Sequence, residues 1–503
     1  MLVDSVKNTL LDLTSEQKEE MRRIKEDYFF YKGAISEEDK TKLDESLLGQ
    51  SWIVSDNLDY VPTQLIDNKI EPLIKKQARF FLGKEPNLLF KARDKKDKEA
   101  CENLRIFIDD ILDDNKFWSE TLKAFRIATV TKRVLLRIEA NKSEPISLYY
   151  HDSSDFNYEV DIKGNLTKVV VVRFISKIDD DNLYNRYTYY LENEVCKFKI
   201  EQFKEKDLSN PISVQTYDTI FTKIPCILFL NESDLINTRG QSDITQLKEL
   251  QNQLNRRVSD FSDALRFQMF GQTAIIDATE ETVNKTKIAP NALMPLKSND
   301  ANENGKQAQA KRVESSFSSA EPINMFLKRL EDSMSDKLSI PKPEQLLNIP
   351  SAKALKYIYY DLIARCYEKW NDWEPGIKLL ISLIIEACDK LNCYDNYDKT
   401  WTKLDYLIVL EKKFPIPEDE EDNKRLAMEE VNNNVRSHRS YIKDFGSDDD
   451  YETSFNEVLE DIEKIQSVEQ DQFRKDADIE VDDIDEELNS KSNNKNSNKN
   501  SNE

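Results

Sequence analysis

The clearest alternation of apolar and polar positions runs from Arg239 to Tyr360. Leu247, Leu250, Leu254, Val258, Phe261 and Leu265 recur at spacings of three and four, which predicts a helix with a narrow apolar seam. Lys248, Gln251, Asn252, Asn255, Arg256 and Asp260 fill its other faces, so it reads as a stave beside similar helices rather than a helix sunk in a core. Ser242-Asp243 supply an N-cap and an early carboxylate, and so set the expected start. A second seam of Ile323, Phe326, Leu327, Leu330, Met334 and Leu338 follows Glu321-Pro322, with proline suited to the first helical position. Between the two helices, Thr273–Ile276 and Ala292–Leu296 are strand-like, and Ser298–Lys306 is a polar loop. Pro341 and Pro343 end the second helix, and a helix restarts at Ser351 after Pro350.

Elsewhere, an amphipathic helix is expected from Thr14-Ser15, followed by a polar linker, then helices near 59–82, 97–113 and 117–130. From 133 to 230 the period changes to that of strands: Val134–Ile138, Ser147–Tyr150, a hairpin through Val160–Leu166 into Val169–Val172, Tyr187–Tyr190 and Cys196–Phe198. Leu379–Ile385, between Lys378 and Glu386, is too short to cross a membrane and reads as a buried helix. Glu374-Pro375-Gly376 is expected to break the helix around it. Residues 415–470 read as helical, and the low-complexity end from Asn489 to Glu503 as disordered. The fold class is α+β, mainly helical.

Composition narrows the function. With 503 residues, 9 glycines and a third of the chain charged, the sequence favours helices with exposed faces over a glycine-rich nucleotide-binding enzyme. The start, Met1-Leu2-Val3-Asp4-Ser5, has no basic region followed by an apolar run, so no signal peptide is expected. Cys101, Cys196, Cys226, Cys366, Cys388 and Cys393 form no Cys-x-x-Cys pair and read as reduced, buried thiols of a cytosolic protein. Of the net charge of -23, Asp444–Glu487 holds 19 acidic and 3 basic residues, which leaves the first 443 residues mildly acidic. That opposes binding to DNA by clustered cations, but suits a conduit whose walls must not hold what slides through it. Catalysis has little support: His151 and His438 are the only histidines, and no P-loop, zinc motif or nucleophile elbow occurs. Asp109-Asp110, Asp113-Asp114, Asp179–Asp181 and Asp448–Asp450 read as solvated helix and loop ends before they read as metal ligands.

Four motifs carry a resemblance. Arg79–Pro86, Gly240-Gln241-Ser242-Asp243, Ile349–Lys356 and Phe414–Glu421 occur in an order and spacing that resemble the portal proteins of tailed bacteriophages, in the family common in phages of Gram-positive hosts. Ala352 departs from it where relatives often carry glycine, and Pro375-Gly376 departs where the family often has one long helix. The resemblance implies a wing (1–238), a first stem helix (239–270), a clip (271–320), a second stem helix (321–338), a tunnel loop (339–351), long wing helices (352–414), a crown (415–470) and an acidic tail (471–503). It further implies a dodecameric ring at one capsid vertex that passes double-stranded DNA and docks the terminase large subunit and then the head-tail adaptor. The major capsid and scaffolding proteins would be its other partners. It implies no cofactor, no metal, no membrane and no active site, with assembly in the host cytoplasm and residence in the virion.

Residue by residue, the resemblance places Lys342, Glu344, Gln345 and Asn348 in the tunnel loop near passing phosphates, Lys342 as a mobile point charge. Lys248, Asn252, Asn255, Lys328 and Asp332 become candidates for the stem lumen. Lys285, Lys287, Lys297, Lys306, Lys311 and Arg312, against Asp300 and Glu303, give the insertion from Lys285 to Arg312, within the clip, a net charge of +4 for docking acidic partners. The plainer alternatives are a solvated polar loop for the clip and an ordinary helix connection for 339–350. Two rival functions are a scaffold or connector that forms no pore, and a DNA-processing enzyme with carboxylate-bound metal.

Overall fold

A computed structural model describes residues 4–33, 62–178, 181–192, 195–269, 272–276, 279, 298, 309–313, 321–346, 352–416, 420–433, 435–446 and 453–464. The chain divides into two units, residues 1–349 with 354–416, and residues 350–353 with 417–503.

In the first unit, α1 (Asp4–Leu10) and α2 (Ser15–Lys32) lead the chain. The α2 start carries a capping box in which Thr14 Oγ1 accepts from Gln17 N–H and Gln17 Oε1 accepts from Thr14 N–H. Then come α3 (Ile70–Leu82), β1 (Asn87–Ala92), α4 (Lys98–Asp114), α5 (Phe117–Thr131), β2 (Arg133–Glu139) and β3 (Ser147–Asp152). An antiparallel sheet follows in plain meander order: β4 (Phe156–Val160), β5 (Leu166–Ile178), β6 (Asp181–Glu192), β7 (Val195–Lys204) and β8 (Ser213–Asp218). After β9 (Cys226–Leu230) come α6 (Lys248–Met269), β10 (Gln272–Ile276), β11 (Gln309–Val313), α7 (Glu321–Lys337), α8 (Ala352–Ile358), α9 (Tyr360–Leu391) and β12 (Tyr406–Glu411).

β2 is the central strand of β3-β2-β9, and all but its last residue is buried. That explains why Val134, Leu135, Leu136 and Ile138 are apolar on both faces of the strand rather than alternating, with Arg137 buried among them. The five-stranded sheet alternates instead. Val169, Val171 and Tyr189 join the main core, while Val170, Val172, Tyr184 and Phe203 form a second cluster with Val6, Leu10 and Leu11 of the first helix and its turn. Aromatic stacking ties the helices together: Phe81 of α3 lies 4.0 Å from Phe125 of α5 and 4.5 Å from Trp370 of α9, measured between ring centres.

Several expectations hold and several change. The helix expected at 59–82 begins at Ile70, because 62–69 is extended for a reason given below. The expected break at Pro375 does not occur: α9 runs unbroken for 32 residues. Asn371 and Pro375 are both exposed, so the carbonyl that loses its proline partner faces water. Gly376 is required by packing, since a Cβ there would lie 2.5 Å from Phe229 Cε1 and 2.9 Å from Ile227 Cγ2 of β9. The second expected stave ends before its prolines. Ser339 adopts a left-handed φ of 55°, Ile340 N–H donates to Ser335 O (2.9 Å) and Ser339 N–H to Asp336 O (3.0 Å), which together form a Schellman cap. The six cysteines are unpaired and buried, and Leu379–Ile385 lies inside α9. Among the described residues no helix is long and apolar enough to cross a membrane.

The second unit contains α10 (Glu420–Asn432), α11 (His438–Phe445) and a further helix over 453–464. Ser437 caps α11 by accepting from Ser440 N–H, and His438 is exposed at its first turn.

Replacing Gly376 with alanine should therefore destabilise the fold. Helix propensity favours alanine by about 1 kcal/mol, but forcing a methyl group into the α9–β9 contact costs roughly 1–3 kcal/mol. The expected outcome is a lower thermal midpoint for Gly376→Ala. A midpoint at or above that of the parent would show that α9 stands off β9.

Candidate functional site

α6 and α7 pack on each other as an antiparallel pair linked at their far end by the β10–β11 hairpin, in which Thr273 lies opposite Arg312 and Ala274 opposite Lys311. Only one end of the pair enters the core. Leu254 of α6 with Leu247 just before it, and Leu330 and Met334 of α7 with Leu338 just beyond it, are buried. Towards the hairpin, Leu265 is 42 % exposed, Met325 67 % and Phe326 45 %, although Leu265 and Phe326 belong to the apolar seams. The seams thus continue beyond the point where the described residues cover them.

One polar face of α6 is not a water face. Gln251, Asn255, Ser259 and Asp263 are all buried. Lys69 N–H donates to Gln251 Oε1 (3.0 Å), Asp67 N–H to Asn255 Oδ1 (3.1 Å), Leu65 N–H to Ser259 Oγ (3.0 Å) and Thr63 N–H to Asp263 Oδ2 (3.0 Å). Gln251 Nε2 also donates back to Asp67 O at 2.7 Å. The geometry follows from two repeats: four helical residues rise about 6.0 Å, and two extended residues span about 6.6 Å. Side chains at every fourth position therefore meet amide groups at every second one. These amides are taken up by the helix, so 62–69 stays extended. Asn68 then accepts from Ile70 and Glu71 N–H and starts α3.

The base of α6 is tied by buried charge. Asp243 was expected to cap an exposed helix start, but α6 begins five residues later and the Asp243 side chain is wholly buried. Its carboxylate accepts from Lys369 Nζ (3.1 and 3.0 Å), Asn231 Nδ2 (2.8 Å) and Gln77 Nε2 (2.9 Å), with Arg365 at 3.4 Å. Lys369, equally buried, also reaches Asn231 Oδ1 (2.7 Å) and Glu232 (3.0 Å). Burial opposes ionisation of Asp243, but the two cations and the amide donors hold its pKa below the usual carboxylate range. Beside it, Gly240 has a φ of 82° and its Cβ position lies 2.5 Å from Lys132 O, so the Gly240–Asp243 motif combines a tight turn with a buried anchor. Glu20 of α2 makes a second tie: it accepts from both terminal nitrogens of Arg133 (2.8 and 2.9 Å) and from Arg239 Nε (3.1 Å). Burial opposes its ionisation too, yet these partners lower its pKa to about 2.

The structure brings some of the candidate residues together and separates others. Lys342 lies 3.0 Å from Asp336 and 3.9 Å from Asp332, its N–H donates to Gln345 Oε1 (3.0 Å), and Glu344 pairs with Lys328. Lys342, Glu344, Gln345, Lys328 and Asp332 thus form one surface charge cluster where the 341–346 segment folds back on α7. Asp336 raises the pKa of Lys342. Lys342 is therefore a paired ammonium in this chain. Lys248 pairs with Asp27 of α2 and lies over the Phe30 ring, and Asn255 is buried in the ladder. Asn252 is half-buried. The α6 face left uncovered by α7 and by 62–69 carries Glu249, Gln253, Arg257 and Asp260, which the sequence reading passed over except for Asp260. Lys285, Lys287, Lys297, Lys306 and Asn348 lie outside the described residues, as does the strand expected at Ala292–Leu296. Lys311 and Arg312 are placed on β11 by their backbone.

Burial, with Arg137 and Arg173 nearby, lowers the His151 pKa to about 3, so it is neutral and enclosed. Burial raises the Asp109 pKa to about 6 against the pull of Arg105, on a helix flank without a cleft partner. Among the described residues no group of three or more His, Cys, Asp or Glu side chains is placed to hold a metal ion.

Residues 11–472 match the family model described as phage portal protein, SPP1 Gp6-like, and the chain belongs to that family, whose members are structural rather than enzymatic. Among solved structures, the chain is similar to one from the "Virion of native gene transfer agent (GTA) particle", at 11 % identity over 74 % of this chain and 87 % of that one, with a TM-score of 0.37. It is also similar to one from the "Neck of empty GTA particle computed with C6 symmetry", at 12 % identity over 72 % and 85 %, with a TM-score of 0.38. No curated protein matches the chain.

Two outcomes test this geometry. Lys369→Met strands a buried carboxylate and should cost about 3–5 kcal/mol in denaturant unfolding, with Asp243→Asn in the same chain recovering part of the loss. A carboxylate whose folded pKa is depressed contributes fully above its unfolded pKa of about 3.9 and loses that contribution as pH falls through the folded value. The doubly substituted chain should accordingly lose less stability than the parent on acidification, and an equal loss would contradict the ion-pair assignment. In hydrogen exchange, the amides of residues 63, 65, 67 and 69 should be slower than those of 64 and 66; uniform protection would contradict the ladder.

Proposed function

We propose that this chain is the subunit of a ring-shaped portal at one vertex of a tailed-phage capsid, through which double-stranded DNA enters and leaves. The observation that carries the reading is the α6–α7 pair: an antiparallel helix hairpin whose apolar seams run on, half exposed, at Leu265 and Phe326, with Met325 exposed beside them. Two helices alone do not bury enough to hold such seams in water, whereas the same pair from a neighbouring protomer on each side would cover them. Repeated around an axis, the pairs become the staves of a channel and the uncovered Glu249, Gln253, Arg257 and Asp260 face becomes its lining. That face mixes both signs of charge, which suits passage rather than capture of DNA.

In this reading, residues 1–238 and 352–414 form the wing, α6 and α7 the stem, 271–320 the clip, 339–351 the tunnel loop and 415–470 the crown, with twelve copies in the assembled head. The clip would dock the terminase large subunit during packaging and the head-tail adaptor afterwards. The wing would meet the capsid and scaffolding proteins. Lys342 exchanges its partners: as a phosphate passes, the ammonium leaves Asp336 and Asp332 and then returns to them. These are exposed pairs of small individual worth, so the exchange has a low barrier.

Images of the purified protein should show rings with a central channel, and globular monomers at every concentration would overturn the reading. Phe326→Asp should abolish rings while leaving the monomer's stability within about 0.5 kcal/mol, because the ring is already half exposed in one chain. Lys342→Ala should assemble normally and package or retain less DNA. Normal packaging by that variant would remove Lys342 from the DNA path without touching the ring.

A further inference from the structure

The five-stranded sheet has two unlike edges. At β4, Phe156, Asn157 and Tyr158 are buried, and Asn157 Nδ2 donates to Leu11 O (3.1 Å), so the α1–α2 turn covers that edge. At the other edge, all six residues of β8 are exposed, and among the described residues β8 pairs with β7 alone. The register sets Asp218 opposite Lys197, and Thr219 N–H donates to Cys196 O at 2.9 Å. Hydrogen bonding in an antiparallel pair alternates, so Ser213, Gln215 and Tyr217 bond inward to β7, and the N–H and C=O groups of Val214, Thr216 and Asp218 point outward.

Free edges are usually blunted by lysine, proline, a bulge or an inward charge. The β8 sequence Ser-Val-Gln-Thr-Tyr-Asp has none of these except one terminal carboxylate, and Ile212, Val214 and Tyr217 are each about half exposed beside it. An open row of amides and carbonyls specifies its own partner, another extended backbone.

We propose that β8 is a pairing edge for a neighbouring copy of this chain, which adds an extended segment beside Val214–Asp218. The proposal rests on the reading of the chain as a ring subunit. A second copy is the polypeptide that such an assembly supplies in equal number and at fixed distance. A closed ring joins unlike surfaces, so an open edge on one protomer meets a different element of the next, whereas edge-to-edge pairing of β8 with β8 would stop at a dimer.

The test uses the full chain. Thr216→Pro removes one outward N–H without breaking a bond to β7, a placement that edge strands tolerate. The concentration required for half-assembly into rings should rise at least tenfold for Thr216→Pro and stay unchanged for Thr216→Val. In the parent protein, the amides of Val214, Thr216 and Asp218 should exchange freely in the dilute monomer and at least tenfold more slowly in the ring. Normal assembly of Thr216→Pro, or equally fast exchange in monomer and ring, would overturn the proposal and leave the portal reading standing. Protection already present in the monomer would mean that the chain covers its own edge, which also overturns it. A parent protein that forms no ring at all would remove the portal reading and this proposal together.

Discussion

The fully buried Asp243–Lys369 ion pair fixes where everything else stands. It joins the start of the α6 segment to the middle of α9, with Asn231 after β9 and Gln77 of α3 completing the shell. A pair taken out of water this completely adds little stability compared with a well-packed apolar substitute, because desolvation consumes most of the attraction. What it supplies is directionality. An apolar contact tolerates rotation about the helix axis, whereas a carboxylate satisfied by four different side chains fixes the angle at which α6 leaves the body. Gly240, with its backbone against Lys132 O, leaves that turn no slack.

The ladder on α6 extends the same principle outward. The 62–69 segment is held on α6 chiefly through its main chain, so the register depends largely on the helix side chains, with Thr63 Oγ1 adding a bond to Asp263 and Lys69 one to Glu331 of α7. It continues directly into α3, whose Gln77 touches Asp243. The ladder and the ion pair therefore form one connected frame, and a displacement of α6 must be felt by α3. Beyond this frame, Leu265, Met325 and Phe326 pass into solvent. Rigidity at one end and incompleteness at the other is what an element built to be finished by neighbours requires.

Much of this was legible in the sequence, and the misses share a cause. Helices α4 and α5, strands β2 to β7 and the two seams follow from periodicity, because burial against one's own neighbours imprints a period of two or about 3.6. Gln251, Asn255, Ser259 and Asp263 also have a period, of four, but Gln251 and Asn255 were read only as part of a polar face, and Ser259 and Asp263 were not singled out. The available signal was chemical: all four are short side chains with an oxygen acceptor, on a helix whose other polar positions include Lys248, Arg256 and Arg257. Asp243 was misread for a related reason. Its partners lie at 77, 231, 365 and 369, and no local pattern reports a contact made at such separations. Pro375 was read as a break because local rules give the cost of the missing hydrogen bond, but not the Gly376–Phe229 contact that keeps α9 straight past it.

The charge of the chain fits this division. Two of the described cations near α7 are paired: Lys328 with Glu344, and Lys342 with Asp336 and Asp332. An ammonium with two carboxylates beside it offers a phosphate only the difference between two weak interactions, and in water that difference is small. A surface of unpaired lysines would bind each phosphate by the full counterion-release term and resist sliding. On the proposed reading as a channel subunit, self-pairing of the loop on α7 would do locally what the net charge of -23 does on average: leave a wall that stays solvated and carries both signs.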